Sequence, residues 1–143
     1  AYVYDLAIDE EWHAAPGEGA WLGDKRLPTL ATDGDREILG MEMIHPGVLV
    51  DGAEALEAPG AARLRALGSF ALSLCWVAAG RFDGLWEAGL KPWDVAPGFL
   101  MVKEAGGIVT DLAGQPGSIW NGQIVAGNET VQGALLKALK PIQ

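Results

Sequence analysis

Residues 89–107, GLKPWDVAPGFLMVKEAGG, restrict the chain more tightly than any other stretch. Pro92 suits the first turn of a helix, where its fixed φ is favourable and its missing N–H is not needed. The apolar run behind it stops at Gly106-Gly107, and glycine readily takes the left-handed conformation that ends helices. The spacing predicts a helix from about Val95 to Ala105, with Val95, Phe99 and Val102 along one face. Pro97 is accommodated if it belongs to the first turn, whose N–H groups have no intrahelical partner. Asp94 stands where a capping carboxylate accepts backbone N–H groups and meets the positive end of the helix dipole. Capping explains an acid at 94 but leaves open whether the carboxylate has a second task.

The rest of the second half alternates in type. Ser69 is placed to cap a helix over 70–79 that Gly80 ends, with Leu67, Phe70, Ala71, Leu74, Cys75 and Ala78 on its buried face. RFDGLWE (81–87) reads as a strand containing a turn, and GIVTDL (107–112) and QIVAGN (123–128) read as further strands. Asn128 is placed to cap a final helix reaching about Lys140. The first half begins with strands at 2–8 and 11–15, followed by GAWLGDKRL (19–27) with a tight turn at Gly23-Asp24, an antiparallel start. A polar stretch (31–37) precedes a short strand candidate, ILGMEMI (38–44). Residues 51–62, rich in Ala, Gly and Pro, read as a loop or weak helix. The expected class is α/β, a layered sheet-and-helix sandwich. Residues 1–30 are expected to supply antiparallel strands of one sheet, and 31–143 a carboxy-terminal α/β domain.

At 143 residues, half of them hydrophobic, the chain suffices for one packed domain or a piece of a larger one. Ten basic against nineteen acidic side chains leave a net charge of −9. That is the wrong sign for a phosphate backbone, so no nucleic-acid partner is expected. No apolar run approaches the length of a membrane span, and the first twenty residues carry acids where a secretion signal carries bases. No membrane association is expected, and the compartment is expected to be cytoplasmic. The single Cys75 agrees with that, since it has no internal disulfide partner.

Several chemistries lack their residues. His13 and His45 are far apart and have no cysteine partner, so they do not make a zinc site. GEGAWLG (17–23) fails the spacing of a dinucleotide loop, and DGD (33–35) lacks the other ligands of a calcium loop. Ser69 has no neighbouring histidine base. Glu87 and Asp94 are left, separated by AGLKPW, each at the end of an element where sites commonly form. From position and spacing alone, a solvated Glu and a capping Asp account for them better than a shared site does.

Residues 68–114 add a resemblance. Trp93-Asp94-Val95-Ala96-Pro97-Gly98 followed by Glu104-Ala105-Gly106-Gly107 resembles the W-D-x-A-x-G and E-A-G-G signature of the inositol monophosphatase family. The strands over 3–27 and the ending IVAGNETVQGALLKAL resemble the same family more weakly. The resemblance implies a layered α/β sandwich, of which this chain supplies the carboxy-terminal part and antiparallel strands of the first sheet. It implies a magnesium (Mg2+)-dependent, lithium-sensitive phosphatase acting on a small phosphorylated polyol or sugar such as inositol monophosphate, usually as a homodimer. Asp94 takes the place of a catalytic magnesium ligand. Glu87 takes that of the acid contacting a substrate hydroxyl, and Gly68, Ser69 and Phe70 take those of the segment lining the polyol. Phe70 replaces a small residue and is expected to reshape the pocket. Glu104, near the helix end, is expected to be structural. The family's other metal motif, D-P-x-D-G-T, does not occur in these residues. The expectation is therefore a fragment, a split partner that pairs with an amino-terminal half, or a degenerate relative, inactive alone. The alternative is a non-catalytic polyol-binding or assembly module.

Overall fold

The computed structural model describes residues 1–28, 30, 38–40 and 63–139. His45, Lys140, the polar stretch 31–37, the end of ILGMEMI and the segment 51–62 lie outside them.

The chain opens as an antiparallel meander: β1 (Tyr2–Asp5), β2 (Glu10–Ala15), β3 (Gly19–Leu22) and β4 (Lys25–Arg26). The first strand is shorter than the run 2–8 suggests. Asp5 Oδ1 accepts the Ala7 N–H at 2.9 Å, the Tyr4 hydroxyl bonds Asp9, and Asp9 adopts φ 57°. Asp tolerates that left-handed conformation, so residues 6–9 form a turn. Alternation divides the meander into two faces. Trp12, Ala14 and Ala20 are buried against helices, while Tyr2, His13, Trp21 and Arg26 line up across the four strands on the other side.

The second sheet has the order β6-β5-β7-β9-β8, built from β5 (Ile38–Gly40), β6 (Arg63–Arg65), β7 (Gly84–Ala88), β8 (Ile108–Thr110) and β9 (Gln123–Gly127). β5 runs parallel to β6 and β7, whereas β9 is antiparallel to both β7 and β8. The run RFDGLWE becomes strand only from Gly84. The Asp83 carboxylate accepts the Ile38 N–H at 2.6 Å, which holds the corner just before it.

Helices α1 (Phe70–Ala78) and α2 (Pro92–Glu104) fill the space between the sheets, and α3 (Glu129–Leu139) covers the outer face of the second. The larger core joins Trp12, Leu74, Val95, Val102 and Ile124, and a smaller one joins Trp86, Val125 and Leu135 beneath α3. A helix between two sheets must be apolar on both sides. That is why Val77 is buried in α1 along with the predicted face.

Two predicted caps differ. Ser69 occupies the position before α1 with extended backbone, but its side chain makes no capping bond; only its carbonyl receives the Ser73 N–H, at 3.0 Å. α2 starts three residues earlier than expected. The residue before a proline is pushed to extended backbone, and Lys91 (φ −103°, ψ 156°) is therefore the last non-helical residue, with Pro92 opening the helix. Pro97 consequently falls in the second turn, so the first-turn rationale for it does not hold. At the far end Gly106 (φ 77°) donates to the Lys103 carbonyl and Gly107 to that of Val102, a Schellman closure. Asn128 caps α3 as predicted, its Oδ1 taking the Val131 N–H at 2.8 Å.

Candidate functional site

Glu87 lies near the end of β7, between two other strands, and is only 5 % exposed. A solvated surface acid is therefore excluded. Alternation turns it to the side of Leu85, towards α1 and α2, whereas Trp86 packs under α3. Its register partner on β9 is the fully buried Ile124. Its Oε1 accepts the Ala88 N–H at 3.0 Å. Burying a carboxylate costs several kcal/mol unless bonds or charges compensate, so packing alone gives no reason for an acid here.

Asp94 follows after the connection 89–91. As the third residue of α2 it does not cap from the N-cap position; its Oδ2 reaches back to accept the Lys91 N–H at 3.0 Å, and its own N–H donates to the Lys91 carbonyl at 3.0 Å. This is the carboxylate half of a capping box. Oδ1 makes no hydrogen bond to a described residue. Asp94 thus presents, among the described residues, one immobilised and one unbonded oxygen at a helix start. A hard cation takes oxygen ligands, and a carboxylate fixed by a cap is pre-oriented for one. Among the described residues no group of three His, Cys, Asp or Glu side chains could hold a metal. Asp94 fits as one ligand of a set rather than as a site by itself.

The segment Gly68-Ser69-Phe70 enters α1. Gly68 has φ 79°, with open space where a side chain would lie, and Phe70 is packed into the core between the sheets at 7 % exposure. The connection from α1 into β7 is short, so the helix runs back along the strand, and its first turn lies towards the end that carries Glu87. Chain direction thus brings Glu87, Asp94 and the start of α1 to one end of the second sheet.

Glu104 has a structural task, as expected. Its two oxygens accept the N–H groups of Gly17 and Gly19, each at 2.9 Å, tying the β2–β3 turn to the end of α2. These bonds hold its carboxyl below the usual range. Sequence reading did not pair Glu10 with Arg81, which meet in a two-bonded ion pair (2.6 Å each), the guanidinium lying over the rings of Trp12 and Trp76.

A mixed sheet and an antiparallel sheet enclosing two helices define a layered α/β sandwich. The model of the inositol monophosphatase family matches residues 1–143, and the chain belongs to that family. An inositol-1-monophosphatase of Mesorhizobium japonicum is 42 % identical over 143 residues, covering 96 % of this chain and 54 % of its own length. The Nus factor SuhB of Escherichia coli is 40 % identical over 148 residues, covering 98 % and 54 %. Among solved structures, the extragenic suppressor protein suhB of Bartonella henselae superposes with a TM-score of 0.87 at 36 % identity, over 97 % of this chain and 55 % of that one. SaIMPase-II, solved with 2′AMP bound, gives 0.74 at 29 % identity over 99 % and 61 %. The chain spans about half the length of the curated relatives it matches. Among the described residues no helix is long and apolar enough to cross a membrane.

Proposed function

We propose that this chain supplies the substrate-reading and second-metal side of a magnesium-dependent phosphatase for small phosphate monoesters, polyol or sugar phosphates first among them. The observation that carries this is the half-engaged Asp94 carboxylate, one oxygen bound to the Lys91 N–H and the other making no hydrogen bond among the described residues. Asp94 would hold one Mg2+. The ion, when bound, neutralises phosphate oxygens and stabilises the leaving alkoxide. Glu87 orients a substrate hydroxyl, and Gly68 and Ser69 offer main-chain and hydroxyl groups to the polyol. Phe70 narrows the space a small residue would leave, so Phe70→Ala is expected to change the preference among inositol, glycerol and sugar phosphates. That SaIMPase-II was solved with 2′AMP bound supports counting nucleoside monophosphates among the proposed esters.

We also propose a partner surface. Tyr2, Tyr4, Leu6 and Ile8 are between 42 % and 86 % exposed along β1 and its turn, a patch suited to an amino-terminal half or a second copy. Cytoplasm is the compartment we propose. The relative named as a Nus factor supports a second reading, a non-catalytic assembly module.

Phosphate release with Mg2+ separates the two. In a protein of the relatives' length carrying this chain, Asp94→Asn should lower turnover by at least roughly 100-fold, since even outer-shell partners of metals are worth 10–100-fold. The isolated 143-residue chain should turn over poorly, because one carboxylate leaves most of six magnesium positions to water. Full activity of the Asp94→Asn protein would overturn the phosphatase reading at this residue.

A further inference from the structure

Among the described residues, a single backbone group holds the Asp94 carboxylate: its Oδ2 accepts the Lys91 N–H at 3.0 Å. That N–H belongs to the peptide unit joining Leu90 to Lys91. The unit is planar and trans, so the Leu90 carbonyl points the opposite way from the N–H. Whatever displaces the carbonyl oxygen therefore tilts the N–H, and with it the carboxylate bonded there.

The Leu90 carbonyl oxygen lies against Gly122, directly before β9. A Cβ on Gly122 would stand 3.0 Å from that oxygen and 3.8 Å from the Leu90 nitrogen. The Leu90 N–H also donates to the Gly122 carbonyl at 3.1 Å. This bond is out of register with the sheet. β7 and β9 pair Glu87 with Ile124 and Ala88 with Gln123, which would set Gly89 opposite Gly122. The bond comes from Leu90 instead, so the β7 side carries one extra residue, Gly89, at φ 77°. The chain leaves the sheet at that bulge, and the buried Leu90 side chain anchors it in the larger core. Lys91 is extended because it precedes Pro92. Glycine at 122 meets both demands of its place. Its φ of 67° is one that other residues rarely adopt, and it brings no Cβ against the Leu90 oxygen.

We infer that Gly122 is a positioning residue for the metal ligand: the peptide between Leu90 and Lys91 seats against it and so aims the Asp94 carboxylate, and a side chain at 122 weakens Mg2+ binding through that peptide. The inference rests on the reading of Asp94 as a magnesium ligand.

Calorimetric titration of the protein of the relatives' length with Mg2+ tests it. Gly122→Ala should raise the Mg2+ dissociation constant roughly tenfold, the lower end of what partners behind a metal ligand contribute. Gly122→Asn carries the same Cβ but tolerates the left-handed backbone, so it should act in the same direction even where the alanine variant fails to fold. The control is Gly80→Ala. Gly80 has φ 68°, but the nearest atom to a Cβ there is a Leu30 methyl at 3.9 Å. Gly80→Ala should lower Tm and bind Mg2+ as the parent does. If Gly122→Ala and Gly122→Asn also lower Tm alone, Gly122 is merely structural and the inference is overturned. Amide exchange at Lys91 is a readout independent of the metal: it should quicken in the Gly122 variants and not in Gly80→Ala. If Asp94→Asn binds Mg2+ as tightly as the parent, the reading of Asp94 as a ligand fails. Faster Lys91 exchange in the Gly122 variants would then still support Gly122 as the residue that aims the carboxylate, and unchanged exchange would overturn it.

Discussion

Replacing Gly98 by alanine tests the contact that sets α1 against α2. A Cβ at 98 would stand 2.3 Å from Leu74 Cβ, 2.6 Å from Leu74 Cδ1 and 3.0 Å from Leu74 Cγ. Carbon atoms in contact prefer about 3.5–4.0 Å, so the helices must part by more than about 1 Å. Rotation of the Leu74 side chain cannot relieve this, because the nearest atom is its Cβ, and Leu74 is fully buried. Overpacking of this kind costs about 3 kcal/mol, while alanine in a helix interior returns about 1, leaving a loss of about 2 kcal/mol. At this size that lowers Tm by roughly 5–10 °C. Thermal and urea unfolding of Gly98→Ala give the number. Leu74→Ala alone should lose about 2–5 kcal/mol through its cavity. The double variant should lose less than the sum of the two, since each change makes room for the other. A Gly98→Ala protein as stable as the parent, or a strictly additive double variant, would refute the close-contact explanation for this glycine of the W-D-x-A-x-G signature.

Glu104→Gln should loosen the β2–β3 turn, seen as faster amide exchange at Gly17 and Gly19. Because the Glu104 carboxyl is held below its ordinary range by those N–H groups, its contribution is present above the unfolded carboxyl value and lost as pH falls through the folded one. The stability gap between parent and Glu104→Gln should therefore close below about pH 4. Arg81→Met should destabilise by about 1–2 kcal/mol, because it removes the two-bonded partner of Glu10 and a cation from the faces of Trp12 and Trp76; urea unfolding measures it. Burial pushes the Cys75 thiol up to about 12, so thiol reagents at pH 8 should label it only after denaturation.

The sequence by itself determined much of the helix at 92–104. Pro92, the forced extension of Lys91 before it, and the Gly106-Gly107 closure are all local, and local sterics decide them wherever the segment sits. Even the error of three residues in its start was avoidable on those grounds. The antiparallel meander was equally legible, because alternation and the Gly23-Asp24 turn act between neighbours in the chain. The family signature marked Asp94, and with it the end of the fold where chemistry is expected. Tertiary structure alone decided what depends on distant partners. The Ser69 side chain makes no capping bond because local propensity does not oblige it to. Val77 is buried because α1 lies between two sheets, which no single-helix pattern reveals. Glu87 is enclosed because its strand acquired neighbours on both sides. Gly98 is needed because Leu74, twenty-four positions away in number, arrives at its α-carbon. The contact between Leu90 and Gly122 likewise exists only once β7 and β9 have paired. Neighbouring residues fix backbone conformation through sterics, whereas burial and convergence follow from which surfaces meet, and single-chain spacing does not encode that meeting.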